Sequence, residues 1–141
     1  MKQDLDRAKT LLVQEGHTCV LCQGDAMYYS DERGVNPLLT FLESEHSFIG
    51  FSAADKVVGK ATAFLYVLLQ VSALHACVIS EGALEVLVAH HLPVTYDTLM
   101  PHIINRQGDG VCPFEATVQN TSDPSAALTL IYQTRTSLSQ K

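Results

Sequence analysis

Leu5, Ala8, Leu11 and Leu12 recur at helical spacing and Gly16 follows them, so the pattern predicts an opening amphipathic helix that stops at the glycine. Two short β-prone runs come next, residues 17–22 and 26–30, on either side of Gln23-Gly24-Asp25. A Gly-Asp turn between such runs predicts an antiparallel hairpin. Past the polar Asp31-Glu32-Arg33-Gly34 loop, Pro37 starts a short helix with Leu38, Leu39 and Leu42 on one side. The pattern then becomes regular: strand 47–51, helix 54–70, strand 75–79, helix 81–91, strand 94–96, helix 98–106. Such alternation implies parallel strands joined by right-handed crossovers and covered on both faces. After Gln107-Gly108-Asp109-Gly110, a last helix is expected over 124–133 with Asp123 as its cap, followed by a polar tail, 134–141, that frays. The expected architecture is one α/β domain over 1–133. Its mixed sheet of about five strands sets an antiparallel hairpin beside a parallel trio.

Composition narrows the function classes. Of 141 residues, 47% are hydrophobic and 17% charged, against roughly 25% charged in a typical soluble domain. A disordered chain needs the opposite balance. Nine basic against 15 acidic residues leave a net charge of −6, which excludes a nucleic-acid binder that works through bulk charge. Between Lys60 and Arg106 there is no Lys or Arg and only three acids, Glu81, Glu85 and Asp97, so this stretch should form the buried heart. Within it, residues 61–79 are apolar enough to suggest a membrane span. Thr62, Tyr66, Gln70, Ser72 and His75 interrupt them, and a buried helix followed by a strand is the better reading. The opening Met1-Lys2-Gln3-Asp4-Leu5-Asp6-Arg7 lacks an apolar run, so a cytoplasmic chain is expected. There Cys19, Cys22, Cys77 and Cys112 stay reduced.

In open α/β sheets ligands bind at the carboxyl ends of parallel strands, where helix N-termini also point. The expected strand exits are Ser52-Ala53-Ala54-Asp55-Lys56, Ser80-Glu81-Gly82 and Tyr96-Asp97-Thr98, which would surround one crevice. Ser52 with Asp55, and Ser80 with Glu81, read equally as helix caps and as ligand groups. Lys56 reads as a solvated lysine or, beside Asp55, as part of a seat for phosphate or a sugar hydroxyl.

Metal and nucleophile chemistry leave few candidates. Cys19 and Cys22 fall three apart on a strand and so point to opposite faces, which prevents a shared metal. The histidines at 17, 46, 75, 90, 91 and 102 complete no ligand set, and no metal is expected. Cys112-Pro113-Phe114-Glu115 places a cysteine at the N-cap of a helical turn, where a thiol becomes a better nucleophile. Asn105 and Arg106 could bring an amide and a guanidinium to the same loop. A plain capped turn is the competing reading.

The segments 52–61, Ser80-Glu81-Gly82-Ala83 and Asn105-Arg106…Gly110-Val111-Cys112-Pro113-Phe114-Glu115, taken in order, resemble a small prokaryotic family of unknown function with a cytidine-deaminase-like fold. The resemblance covers roughly residues 5–130. It implies a three-layer α/β/α sandwich and does not carry an activity. Zinc deaminases need His-x-Glu or Cys-x-Glu with Pro-Cys-x-x-Cys. No His-x-Glu or Cys-x-Glu occurs in the chain, so the zinc-bound nucleophile has no ligands. Three readings stay open. The first is a domain binding a nucleotide-like small molecule, of nucleotide or ADP-ribose/NAD type, through Ser52, Asp55, Lys56, Ser80, Glu81, Asn105, Arg106 and Glu115. The second is an enzyme with Cys112 as covalent nucleophile and Asp55 or Glu81 as acid or base. The third is a non-catalytic module that forms a homodimer. None involves nucleic acid or membrane.

Overall fold

The structure is a computed structural model of the chain and describes residues 2–103, 110 and 112–139. Within these residues it has five strands and six helices in the order α1 (Lys2–Gln14), β1 (Cys19–Gln23), β2 (Ala26–Ser30), α2 (Asn36–Glu43), β3 (Ser52–Val58), α3 (Lys60–Leu69), β4 (Ala73–Ser80), α4 (Glu81–Ala89), β5 (Val94–Met100), α5 (Pro113–Thr117) and α6 (Pro124–Ser139). The strands form one mixed sheet, ordered β2-β1-β3-β4-β5. β1 is antiparallel to both β2 and β3, while β3, β4 and β5 run parallel. A hairpin therefore lies beside a parallel trio, as the pattern predicted. Gly24 supplies the positive φ, +56°, at the first of the two turn residues between Gln23 and Ala26. Arg7 holds that turn from α1 through the carbonyls of Gly24 and Ala26.

Strand alternation sorts the core into two layers. Ala8 and Leu12 of α1 pack on Val20, Cys22 and Ala54 on one face. On the other face Cys19, Leu21, Ala53, Leu74, Ala76 and Ile79 meet Phe64, Leu65 and Tyr66 of α3, with α2, α4 and α6 around them. Cys19 and Cys22 thus fall on opposite faces. The apolar stretch after Lys60 is α3 and β4, both inside the fold. Among the described residues no helix is long and apolar enough to cross a membrane.

Three predicted elements shift. The segment 47–51 is not a strand: Phe48 and Phe51 plug the core beside Tyr28 and Phe41, with ring centroids 5.1 to 6.0 Å apart. Its alternation marks aromatic burial, not a ladder. The helix expected from residue 54 begins only at Lys60, after the Gly59 N-cap. Ala53 and Ala54 have little preference of their own to resist a strand, and ladders to β1 and β4 hold them from both sides. The helix expected over 98–106 is displaced by β5, whose register with β4 continues to Ser80↔Met100. Residues 101–103 are not helical either, and 104–106 lie outside the described residues. At the other end, α6 continues to Ser139 and not only to residue 133. Ala127 and Ile131 anchor it in the core, and Thr134 bonds to Thr117 at 2.9 Å.

Candidate functional site

The parallel strands deliver α3 and α4 to one end of the sheet. Ser80, the last residue of β4, is fully buried, and its hydroxyl accepts from the Ala83 amide at 3.1 Å. It caps α4 as its position predicted, while Glu81 in the first turn stays exposed. Gly59 and Lys60 occupy the corresponding exit of β3. The stem of Lys60 lies over Gly82, where a Cβ would stand 3.4 Å from Lys60 Cδ. Its ammonium donates to the Gln119 carbonyl at 2.8 Å. The starts of α3 and α4 therefore touch.

Glu115 closes the start of α3. Only 7% exposed, its carboxylate accepts from the Lys60 amide at 3.3 Å and from the Ile103 amide at 2.6 Å. A side chain on α5 thereby fills the anion seat that a helix N-terminus offers. Gly59 makes room for it, since a Cβ there would come within 3.2 Å of Ile103 and 3.6 Å of the Glu115 carboxyl. Cys112 is the half-buried N-cap of α5. Its side chain makes no capping bond, and its amide donates to the Ile103 carbonyl at 2.8 Å.

The other nominated residues do not join this end. Ser52 opens β3 and so sits at its amino end, buried between Cys22 and Ala73 in the ladder. Ser52 does not cap α3, which begins eight residues further on at Lys60 after Gly59. Asp55 lies within β3, opposite Cys19, with its side chain on the α3 face. There the Tyr66 hydroxyl donates to it at 2.6 Å, the Val57 amide donates at 3.2 Å, and Cys19 Sγ contacts the same hydroxyl at 3.2 Å. Burial raises the Asp55 carboxyl from 3.8 to about 7 despite the bonds from Tyr66, Val57 and Lys56. Burial and then the Asp55 charge push the Tyr66 hydroxyl well above its ordinary value. Lys56, the next residue along β3, is exposed and separated from Asp55 by strand alternation. Asn105 and Arg106 lie outside the described residues.

One grouping escaped the sequence reading. His75 Nε2 lies 3.4 Å from Asp97 Oδ2, and Cys77 Sγ completes a set whose donor atoms all lie within 4.8 Å of one another. Burial, then the charges of Asp97 and Asp55, push the Cys77 thiol up. Asp97, expected at a strand exit, is interior to β5. His-x-Cys on one parallel strand beside Thr-x-Asp on the next is the signal that registers them, and it appears only once β5 is given its full length. Elsewhere, a polar depression between α2 and α6 is lined by Glu32, Asn36, Thr40, Arg135 and Thr136, none of them nominated.

Comparison with known proteins adds the family. The family described as TM1506, domain of unknown function (DUF1893), matches residues 7–134. A solved crystal structure of a DUF1893 family protein, TM1506 from Thermotoga maritima, is similar to this chain with a TM-score of 0.87 and 25% identity. The similarity covers 94% of this chain and 90% of that one. No curated protein matches the chain.

Proposed function

Since the chain belongs to the DUF1893 family, a domain family of unknown function, we propose its function from its own site: it binds a nucleotide-like anionic ligand where α3 and α4 begin. The carrying observation is the Glu115 carboxylate, which accepts from the first-turn amide of α3, that of Lys60, and from the Ile103 amide beyond β5. The chain's own carboxylate takes the seat at α3, so a ligand anion falls to the neighbouring start of α4. Beside it, the first turn of α4 opens at Glu81 and Gly82, with the Lys60 side chain across it. A phosphate would sit at that turn near the Lys60 ammonium, and Glu81 would accept from ribose hydroxyls. The mixed sheet between helix layers agrees with a cytidine-deaminase-like fold, whose relatives hold nucleosides at this end. Deaminase chemistry itself is not proposed, because the chain lacks its zinc-ligand motifs. Catalysis by Cys112 with Asp55 draws less support, since Asp55 is engaged beneath Tyr66.

Thermal shift with ADP-ribose, ADP and AMP tests the reading. A ligand at a hundred times its Kd stabilises by about 2.7 kcal/mol, a rise of roughly 6–10 °C in Tm for a chain of this size. At least one of the three should produce such a rise in the wild type and a clearly smaller one in Lys60→Ala and Glu81→Ala. Equal shifts in wild type and both variants, or none in any, would sink it.

A further inference from the structure

We propose that His75, Cys77 and Asp97 form a divalent transition-metal site, suited to zinc, on the α1 face of the sheet. The placement follows from register. β4 and β5 pair His75 with Thr95 and Val78 with Thr98, so Cys77 and Asp97 lie side by side two residues further along. Alternation puts all four of His75, Cys77, Thr95 and Asp97 on one face. That face is the one α1 covers, since Cys77 packs against Ala8, Leu12, Val20, Cys22 and Ala54. It is not the face that carries Asp55 and Tyr66.

The distances suit a small cation. Bonds of about 2.0–2.3 Å to N, O and S set the edges of a coordination tetrahedron at roughly 3.3–3.8 Å. His75 Nε2 and Asp97 Oδ2 already stand 3.4 Å apart. The Cys77 sulfur, with every pair of donors inside 4.8 Å, needs to close by no more than about 1.5 Å, within reach of a χ1 adjustment of a half-buried side chain. His75 is oriented by a 2.7 Å bond between its Nδ1 and the Thr95 hydroxyl. In the metal-bound form Nδ1–H donates to Thr95 and leaves Nε2 free as ligand.

The chemistry of the donors selects the metal. One imidazole, one thiolate and one carboxylate match zinc and its neighbours, whereas magnesium and calcium take oxygen sets. Binding releases the Cys77 proton to solvent, and thiolate plus carboxylate then balance a dication. The His75 side chain is 6% exposed and that of Asp97 66%, so the site is anchored on its inner side and open on its outer side. Three protein ligands with an open fourth position leave room for a water or a ligand atom.

The test uses the full chain, reduced and stripped of metal, titrated with Zn²⁺ against a chromophoric chelator and separately with Co²⁺. The expected result is saturable uptake of one equivalent, with a thiolate-to-cobalt charge-transfer band. That band disappears in Cys77→Ser. Zinc affinity falls at least tenfold in both Cys77→Ser and the surface variant Asp97→Asn, which even a second-sphere change often achieves (about 10–100-fold). Circular dichroism checks that each variant is folded. No saturable uptake by the wild type would overturn the site. So would uptake and a cobalt spectrum unchanged in both variants, which would place the metal on other thiols or on the His90–His91 pair.

Discussion

Replacing Asp55 with Asn should remove most of the pH dependence of stability expected of the wild type between about pH 4 and pH 7. The carboxyl titrates near 7 in the folded chain against 3.8 as its reference. Because the folded-state value is raised, the folded chain holds a proton that the unfolded chain has lost throughout this window. The stability that this group contributes is fully present below about pH 4 and falls as pH rises, until the folded carboxyl ionises near 7. Three pK units correspond to about 4 kcal/mol across the whole window. Asn keeps the shape and an oxygen for the Tyr66 hydroxyl while removing the titration. In urea unfolding at pH 4.5 and pH 8, the stability difference between wild type and Asp55→Asn should change by about 3 kcal/mol in favour of Asn at the higher pH. Parallel curves would mean that the carboxyl titrates normally and that its burial beneath Tyr66 is wrong.

Glu115→Ala should destabilise the fold by about 3–5 kcal/mol, through two amides left without their charged acceptor. The Ile103 amide loses a 2.6 Å bond and the first-turn Lys60 amide a 3.3 Å bond. The same change unties residue 103 from the start of α3. Glu115→Gln keeps one acceptor oxygen and should lose about half as much. Urea midpoints for the two variants check the ranking. A Glu115→Ala protein within about 1 kcal/mol of wild type, the level of a single exposed cap, would remove Glu115 as the closure of α3.

Local signals located some of these parts well. Gly24-Asp25 between two β-prone runs gave the hairpin, and the three-residue spacing put Cys19 and Cys22 on opposite faces. Ser80 read as a cap and is one. The start of α3 is not legible locally because Ala53 and Ala54 suit helix and strand alike, and only pairing with β1 and β4 decides between them. That single shift carried Ser52 to the wrong end of β3 and drew Asp55 into the interior. The role of Glu115 depends on a contact 55 residues away in the chain, which no spacing rule reaches. The His75–Cys77–Asp97 grouping likewise exists only through the β4–β5 register. Of the nominated ligand residues, Ser80, Glu81 and Glu115 gather at the carboxyl end, and Lys60 joins them in place of Lys56.

The proposed seat is tested most directly by ¹H–¹⁵N correlation spectra of the labelled chain titrated with ADP-ribose, which report where a ligand sits as well as whether it binds. The amides of Lys60, Glu81, Gly82 and Ala83 should shift progressively and saturate, and those shifts should shrink in Lys60→Ala. Shifts confined to Asn36, Thr40 and Arg135, or no saturable shift anywhere, would contradict a nucleotide-type seat at the start of α3 and α4.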